Sequence, residues 1–220
     1  MAISAQEVKQ LREMTGAGMM DCKKALQETG GDMDEAVVYL QKKGSAAAQK
    51  KAGRTAAEGL VQTWLGDDGH EGVLAEINCE TDFVARNEQF QAFVDTITQT
   101  IGVSKASSIE ELMEVPVVSG DKLVSKYVQE QVATIGEKID VRRFTRLKSA
   151  EGLVEAYIHA GGQIGVLVAV SNPKGVDREK VAEFARDVAM HVAAMKPPYL
   201  RPEEIPADAA AAYEEILVAR

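Results

Sequence analysis

The side chains that could do chemistry are few. Three histidines, His70, His159 and His191, are scattered along 220 residues, and none stands in a metal-binding spacing such as HExxH. The two cysteines, Cys22 and Cys79, form no CxxC pair and read as the free thiols of a reduced cytosolic protein. The sequence places no histidine to activate Cys22. Gly161-Gly162-Gln163-Ile164-Gly165 resembles part of a phosphate-binding loop. It falls between two strand patterns, where no helix N-terminus is available to a phosphate, so it reads as turn chemistry. What remains is recognition chemistry. Thr81-Asp82-Phe83-Val84 lies where the apolar run Gly72-Val73-Leu74-Ala75-Glu76-Ile77 hands over to a helical pattern, Phe90, Phe93, Val94, Ile97 and Ile101. Thr81 or Asp82 can cap that helix. Phe83 then has two readings. One heptad before Phe90, it is the first core residue of the helix, and the spacing alone favours this. Alternatively, Asp82 and Phe83 are an exposed pair that a rigid element presents to a partner protein.

Composition bounds the partners. Hydrophobic residues make up 45% and charged residues 27%, which suits a globular chain with a soluble surface. Aromatics are only 5%, so the core should be aliphatic. A net charge of −9 argues against direct nucleic-acid binding, which needs basic groups to neutralise phosphates. No apolar run approaches a membrane span. Met1-Ala2-Ile3-Ser4-Ala5-Gln6 lacks the regions of a signal peptide, so a cytoplasmic protein is expected.

The positioning elements follow in order. Ser4 with Glu7 forms a capping box for a first helix striped by Val8, Leu11 and Met14. Thr15-Gly16-Ala17-Gly18 is a turn. A second helix runs from about Met19 to Thr29, with Ala25 and Leu26 inward, and Gly30-Gly31 breaks it. Asp32 caps a third, with Glu35 at the box position and Ala36, Val37 and Leu40 as its stripe. Three helices in some forty residues resemble a ubiquitin-associated-type bundle. Met19 and Met20 follow a glycine turn. Either both are exposed, adaptable contact groups, or one fills the bundle core. Residues 42–55 carry five positive charges and no acid, and read as a solvated basic linker, partly helical through its alanines.

From residue 56 the chain repeats itself. Ala57-Glu58-Gly59-Leu60-Val61 returns as Ala150-Glu151-Gly152-Leu153-Val154. Gly69 matches Gly162, and Gly72-Val73-Leu74 matches Gly165-Val166-Leu167, all at an ungapped offset of 93. Each copy predicts a β-hairpin followed by a helix. The second helix, about Arg178 to Ala194, should bury Val181, Phe184, Val188 and Val192 and leave His191 partly buried and satisfied. His159, near its hairpin turn, should be exposed. The first copy continues into a helix over 121–135, ended by Gly136, and an alternating strand from Ile139 to Leu147. The second lacks such a closing strand, which leaves a sheet edge uncovered. Either that unit is short, or the chain is a piece of a longer one. The expected fold is α+β: an N-terminal three-helix ubiquitin-associated-like bundle, then a two-unit α+β core with antiparallel sheets. Its domains are 1–55 for bundle and linker, 56–148 and 149–200 for the two core units, and 201–220 for a C-terminal helical segment.

Two long motifs carry a resemblance. Thr81-Asp82-Phe83-Val84-Ala85-Arg86-Asn87 is similar to one signature of the bacterial elongation factor Ts family, and Leu11-Arg12-Glu13-Met14-Thr15-Gly16-Ala17-Gly18-Met19-Met20-Asp21-Cys22-Lys23 to the other. The resemblance implies a non-enzymatic guanine nucleotide exchange factor, without cofactor, for the GTPase elongation factor Tu. It implies that Arg12, Met19, Met20 and Lys23 dock the bundle on the GTPase domain. Thr81, Asp82, Phe83 and Val84 would enter between helices of that domain, close to the magnesium of the nucleotide. Ile135 and Gly136 match positions that support this contact, and His159 a contact beside the same surface. A dimer of the complex is compatible with it. Ala160 departs from the pattern, which often has glycine there. The other classes are a binding module without exchange activity and an enzyme that uses the glycine-rich turn for nucleotide.

Overall fold

Local signals set both ends of the first helix and the start of the third. In a computed structural model describing residues 3–171 and 176–211, α1 spans Ala5–Thr15. The Glu7 N–H donates to Ser4 Oγ at 3.2 Å and the Ser4 N–H to the Glu7 carboxylate at 2.7 Å, so the capping box is complete. Gly16, at φ 68°, ends the helix in the left-handed region that glycine tolerates. Next come α2, Met19–Glu28, and α3, Met33–Lys51, whose Asp32 cap accepts the Glu35 N–H at 2.9 Å. Val8, Leu11, Cys22, Ala25, Leu26 and Ala36 form the small bundle core. Met14 is not in it. Thr15 takes the inner side of the last turn, its hydroxyl donating to the Leu11 carbonyl at 2.7 Å, and Met14 is left exposed.

The basic stretch is less of a linker than expected. Its alanines carry α3 through Lys51, and Gly44 sits so close to α7 (Val124–Ile135) that a Cβ on it would meet the Ala133 Cβ at 3.5 Å. Ala48 packs against the main core. Tertiary contact on one face thus continues a helix that good helix formers permit. Residues 52–57 alone bridge the bundle to the first strand.

That strand, β1 (Glu58–Leu65), pairs antiparallel with β2 (Glu71–Cys79), and β2 with β3 (Asp140–Lys148). Val73, Ala75, Ile77 and Cys79 point to one face and are buried. They share a core with Phe90, Phe93, Val94, Ile97 and Ile101. The single helix expected after β2 is two: a four-residue turn, α4 (Asp82–Ala85), and α5 (Glu88–Val103). Asn87 divides them, its side chain accepting the Gln89 N–H at 2.8 Å as a fresh cap. The heptad from Phe83 to Phe90 therefore does not cross the break. After α6 (Ile109–Met113), α7 starts later than expected, because Val117 and Lys122 first close a turn and Pro116 bridges Leu123.

The second hairpin, β4 (Gly152–His159) and β5 (Ile164–Ser171), joins the first through contacts that repeat with the sequence. The Val61 N–H donates to the Gly162 carbonyl at 2.8 Å, and the Val154 N–H donates to the Gly69 carbonyl at 2.8 Å. Each bond is the other displaced by the 93-residue offset. The same holds for two glycines: a Cβ on Gly72 would lie 2.7 Å from Val154 Cγ1, and one on Gly165 3.0 Å from Val61 Cγ2. The two hairpins thus face each other about a local pseudo-two-fold axis. Last comes α8 (Arg178–Met195), with Val181, Ala185, Ala189 and Ala193 buried. The buried stripe lies one residue beyond most of the expected positions. Three alanines let this helix approach the sheet closely, so Phe184 is turned outward at 60% exposure and Val188 and Val192 flank the contact. His191 is exposed too, and not the partly buried residue its neighbours suggested. Among the described residues the outer edge of β5 pairs with no strand, and no helix is long and apolar enough to cross a membrane. Residues 207–211 are helical, and the remainder of the expected terminal segment, 212–220, lies outside the described residues.

A valine at Gly165 has to displace Leu74 and Val61 in the contact between hairpins. Gly165→Val should cost about 1–3 kcal/mol by overpacking, with one urea transition retained for the whole core. Two separate transitions would show instead that the units fold independently.

Candidate partner-binding site

The site is a corner. Strand β2 ends at Cys79, whose buried thiol donates to the Thr81 carbonyl at 3.2 Å. Burial, and next the charge of Glu137, push that thiol up to about 12, so it stays protonated. Thr81 then caps α4, its hydroxyl oxygen accepting the Val84 N–H at 3.3 Å. From the other side comes Glu137, the residue after Gly136, which ends α7 in the left-handed region at φ 87°. One Glu137 oxygen accepts the N–H groups of Glu80 and Thr81, both at 3.0 Å, and the other accepts the Thr81 hydroxyl at 2.7 Å. Glu80 returns the grip. Its carboxylate accepts the Lys138 N–H at 2.6 Å and pairs with Arg54 at 3.3 Å, while the Lys138 ammonium donates to the Arg54 carbonyl at 3.0 Å. The Lys138 N–H holds the Glu80 carboxyl below its ordinary value, against the opposing effect of burial, with Arg54 adding to the depression. The strand-to-helix corner is thus tied to the α7-to-β3 corner and to the segment leading from the bundle.

What this corner displays is Phe83, 82% exposed. The core reading of Phe83 is therefore wrong for this fold: the ring stands in solvent. Val84 and Ala85 turn inward to anchor the turn. Asp82 is partly exposed and pairs with Arg86, one helical turn on, at 3.1 Å. Ile135 packs on the main core beneath, and Gly136 is exposed beside Glu137. Across an open cleft of about 590 Å³ from Asp82 and Arg86 lies the tip of the second hairpin, Ala160, Gly161 and Gln163. His159 precedes that tip, exposed as expected, with its Nδ1 2.9 Å from the Tyr157 hydroxyl. Ala160 has φ 51°, a left-handed conformation that costs a non-glycine residue about 1–2 kcal/mol, which is why glycine suits this position better. Of Gly161-Gly165, the first three residues with Ala160 form a turn joining two strands, and Ile164 and Gly165 already begin β5.

A second patch lies on the bundle. Arg12, in the last turn of α1, and Met19, Met20 and Lys23, at the start of α2, are all exposed. Neither methionine fills the core: Met19 is 53% and Met20 73% exposed, because Cys22, Ala25 and Leu26 already close it. Sequence reasoning missed Glu80 and Glu137. The only signal was an acidic residue directly after a helix-ending glycine, and nothing local pairs it with Thr81, 56 residues away. Among the described residues no group of histidine, cysteine and acidic side chains could hold a metal ion.

Residues 80–220 match the family model described as elongation factor TS. The chain is 50% identical over 204 residues to elongation factor Ts of Clostridium kluyveri, covering 92% of this chain and 66% of that protein. It is 48% identical over 219 residues to that of Nautilia profundicola, covering 99% and 71%, and 48% identical over 224 residues to that of Trichlorobacter lovleyi, covering 100% and 72%. The chain belongs to the elongation factor Ts family. It spans about two thirds of the length of the first of these relatives.

Because the Glu80 carboxyl sits below its ordinary 4.5 when folded, the stability it contributes is complete above that value. It is lost as pH falls through the lower folded value. Glu80→Gln should therefore be less stable than wild type near neutral pH, with the gap closing below 4.5. Urea melts that keep a constant gap across that range would contradict this.

Proposed function

We propose that this chain is a guanine nucleotide exchange factor for elongation factor Tu in translation elongation. It acts in the cytoplasm on the GDP-bound GTPase, without a chemical step, a cofactor or direct contact to nucleic acid. The observation that carries this is a large apolar side chain, Phe83, held exposed at a corner fixed by charged hydrogen bonds. Membership in the family supports it.

The physical account is linkage. The factor favours a state of the GTPase in which the magnesium and phosphate ligands are displaced. Whatever it costs nucleotide affinity, the nucleotide costs the factor's affinity equally. Each tenfold weakening of GDP needs about 1.4 kcal/mol of differential binding. Burying one Phe is worth about 1.5–3 kcal/mol, so Phe83 supplies one to two powers of ten. Asp82 brings a negative charge toward the magnesium and phosphate site, and its pairing with Arg86 tempers that charge until docking. Arg12, Met19, Met20 and Lys23 supply binding energy through the bundle, and His159 and the second hairpin contact beside the same surface.

Release of fluorescent GDP from elongation factor Tu tests the whole reading: stimulation supports exchange, and binding without release leaves a docking module. Phe83→Ala should slow stimulated release by about one to two powers of ten while melting at the wild-type temperature, since removing an exposed ring leaves no cavity. A much lower melting point with normal exchange at low temperature would return Phe83 to the core. Met19→Ala with Met20→Ala should weaken complex formation and leave the fold intact. An unfolded double variant would show that the pair is structural.

A further inference from the structure

We propose that Glu137 is a positioning residue for Phe83: its carboxylate, by gripping the Glu80–Thr81 corner, sets the direction in which the ring is presented. The inference rests on the exchange reading. Three donors converge on the two Glu137 oxygens, the Glu80 and Thr81 N–H groups at 3.0 Å and the Thr81 hydroxyl at 2.7 Å. A carboxylate accepts all three; a glutamine keeps the two N–H bonds through its oxygen but reverses the third, its N–H₂ donating to the Thr81 hydroxyl, whose own hydrogen is then no longer held.

The grip passes along the chain. By donating to Glu137, the Thr81 hydroxyl aims a lone pair at the Val84 N–H, which it caps at 3.3 Å. That cap holds α4, a single turn, and Phe83 is its second residue. So short a helix has no stability of its own. Its orientation comes from both ends: Ala85 in the core with Val84 packed against it, and Thr81 on Glu137.

The place of Glu137 is costly in itself. It stands just past the C-terminus of α7, where the helix dipole disfavours an anion. Its charge also bears on the buried Cys79 thiol. The three bonds to the corner are what offset this. Ile135, two residues back, is partly buried against the core, and Gly136 turns the chain so that the carboxylate reaches across.

The test uses the whole chain and GDP release from elongation factor Tu, titrated to saturation. Glu137→Ala and Glu137→Gln are measured alone and combined with Phe83→Ala. Glu137→Ala should lower the saturating rate by about ten- to a hundredfold, the effect of misplacing a contact by an ångström or so. The half-saturating concentration should change little, because the bundle patch still docks. In the Phe83→Ala background it should lower the rate no further, since the ring it aims is gone. Glu137→Gln should fall between, and it carries the comparison if Glu137→Ala does not fold. Equal losses with and without Phe83, or a saturating rate at the wild-type level, would overturn the proposal. A wild-type chain that releases no GDP overturns the exchange reading and this one with it. A working wild type matched by both Glu137 variants overturns positioning alone.

Discussion

Two backbone hydrogen bonds hold this molecule's geometry: Val61 to Gly162 and Val154 to Gly69, both 2.8 Å. Each ties a first strand of one hairpin to the turn of the other. A buried amide that loses its partner costs more than the bond itself contributes, so the pair fixes the register between the hairpins as firmly as a ladder fixes strands. Glycines at 72 and 165 make the approach close enough for them to form. The second hairpin's part of the candidate site depends on that register. It brings the Ala160–Gln163 turn across the cleft from Asp82 and leaves His159 at its rim.

Much of this was legible in the sequence, wherever the determinants are local or repeated. Ser4 with Glu7, Asp32, Gly16 and Gly136 mark helix ends by their own chemistry, and they stand where expected. The offset of 93 marks the two hairpins and their turns, because a repeat carries its geometry with it. Failures came where tertiary contact chose between locally equal options. The alanines after Lys43 permit helix or coil, and contact with Ala133 decides. Phe184 and Ala185 both lie on an amphipathic pattern, and the close sheet contact selects the small one. For Phe83 the spacing favoured the core and misled, because its exposure depends on the break at Asn87 and on Glu137, a residue far along the chain.

The site and the core follow different rules. The core is aliphatic and close-packed, and gains by hiding Phe90 and Phe93. The corner leaves an equally large ring in water and is held by charge-assisted hydrogen bonds, which are directional where apolar burial is not. Directional bonds suit a group that must be presented in one attitude without being covered.

The continuous helix α3 has a further consequence. Since it runs unbroken from the bundle to its contact with α7, the two exposed patches are held at a fixed separation. In the proposed complex, docking of one patch converts docking of the other into an intramolecular event, governed by an effective concentration. A flexible tether of the same length would dilute that concentration over many wrong distances. The rigid arm keeps it high, so two individually weak contacts can together hold a GTPase tightly and still let go one at a time.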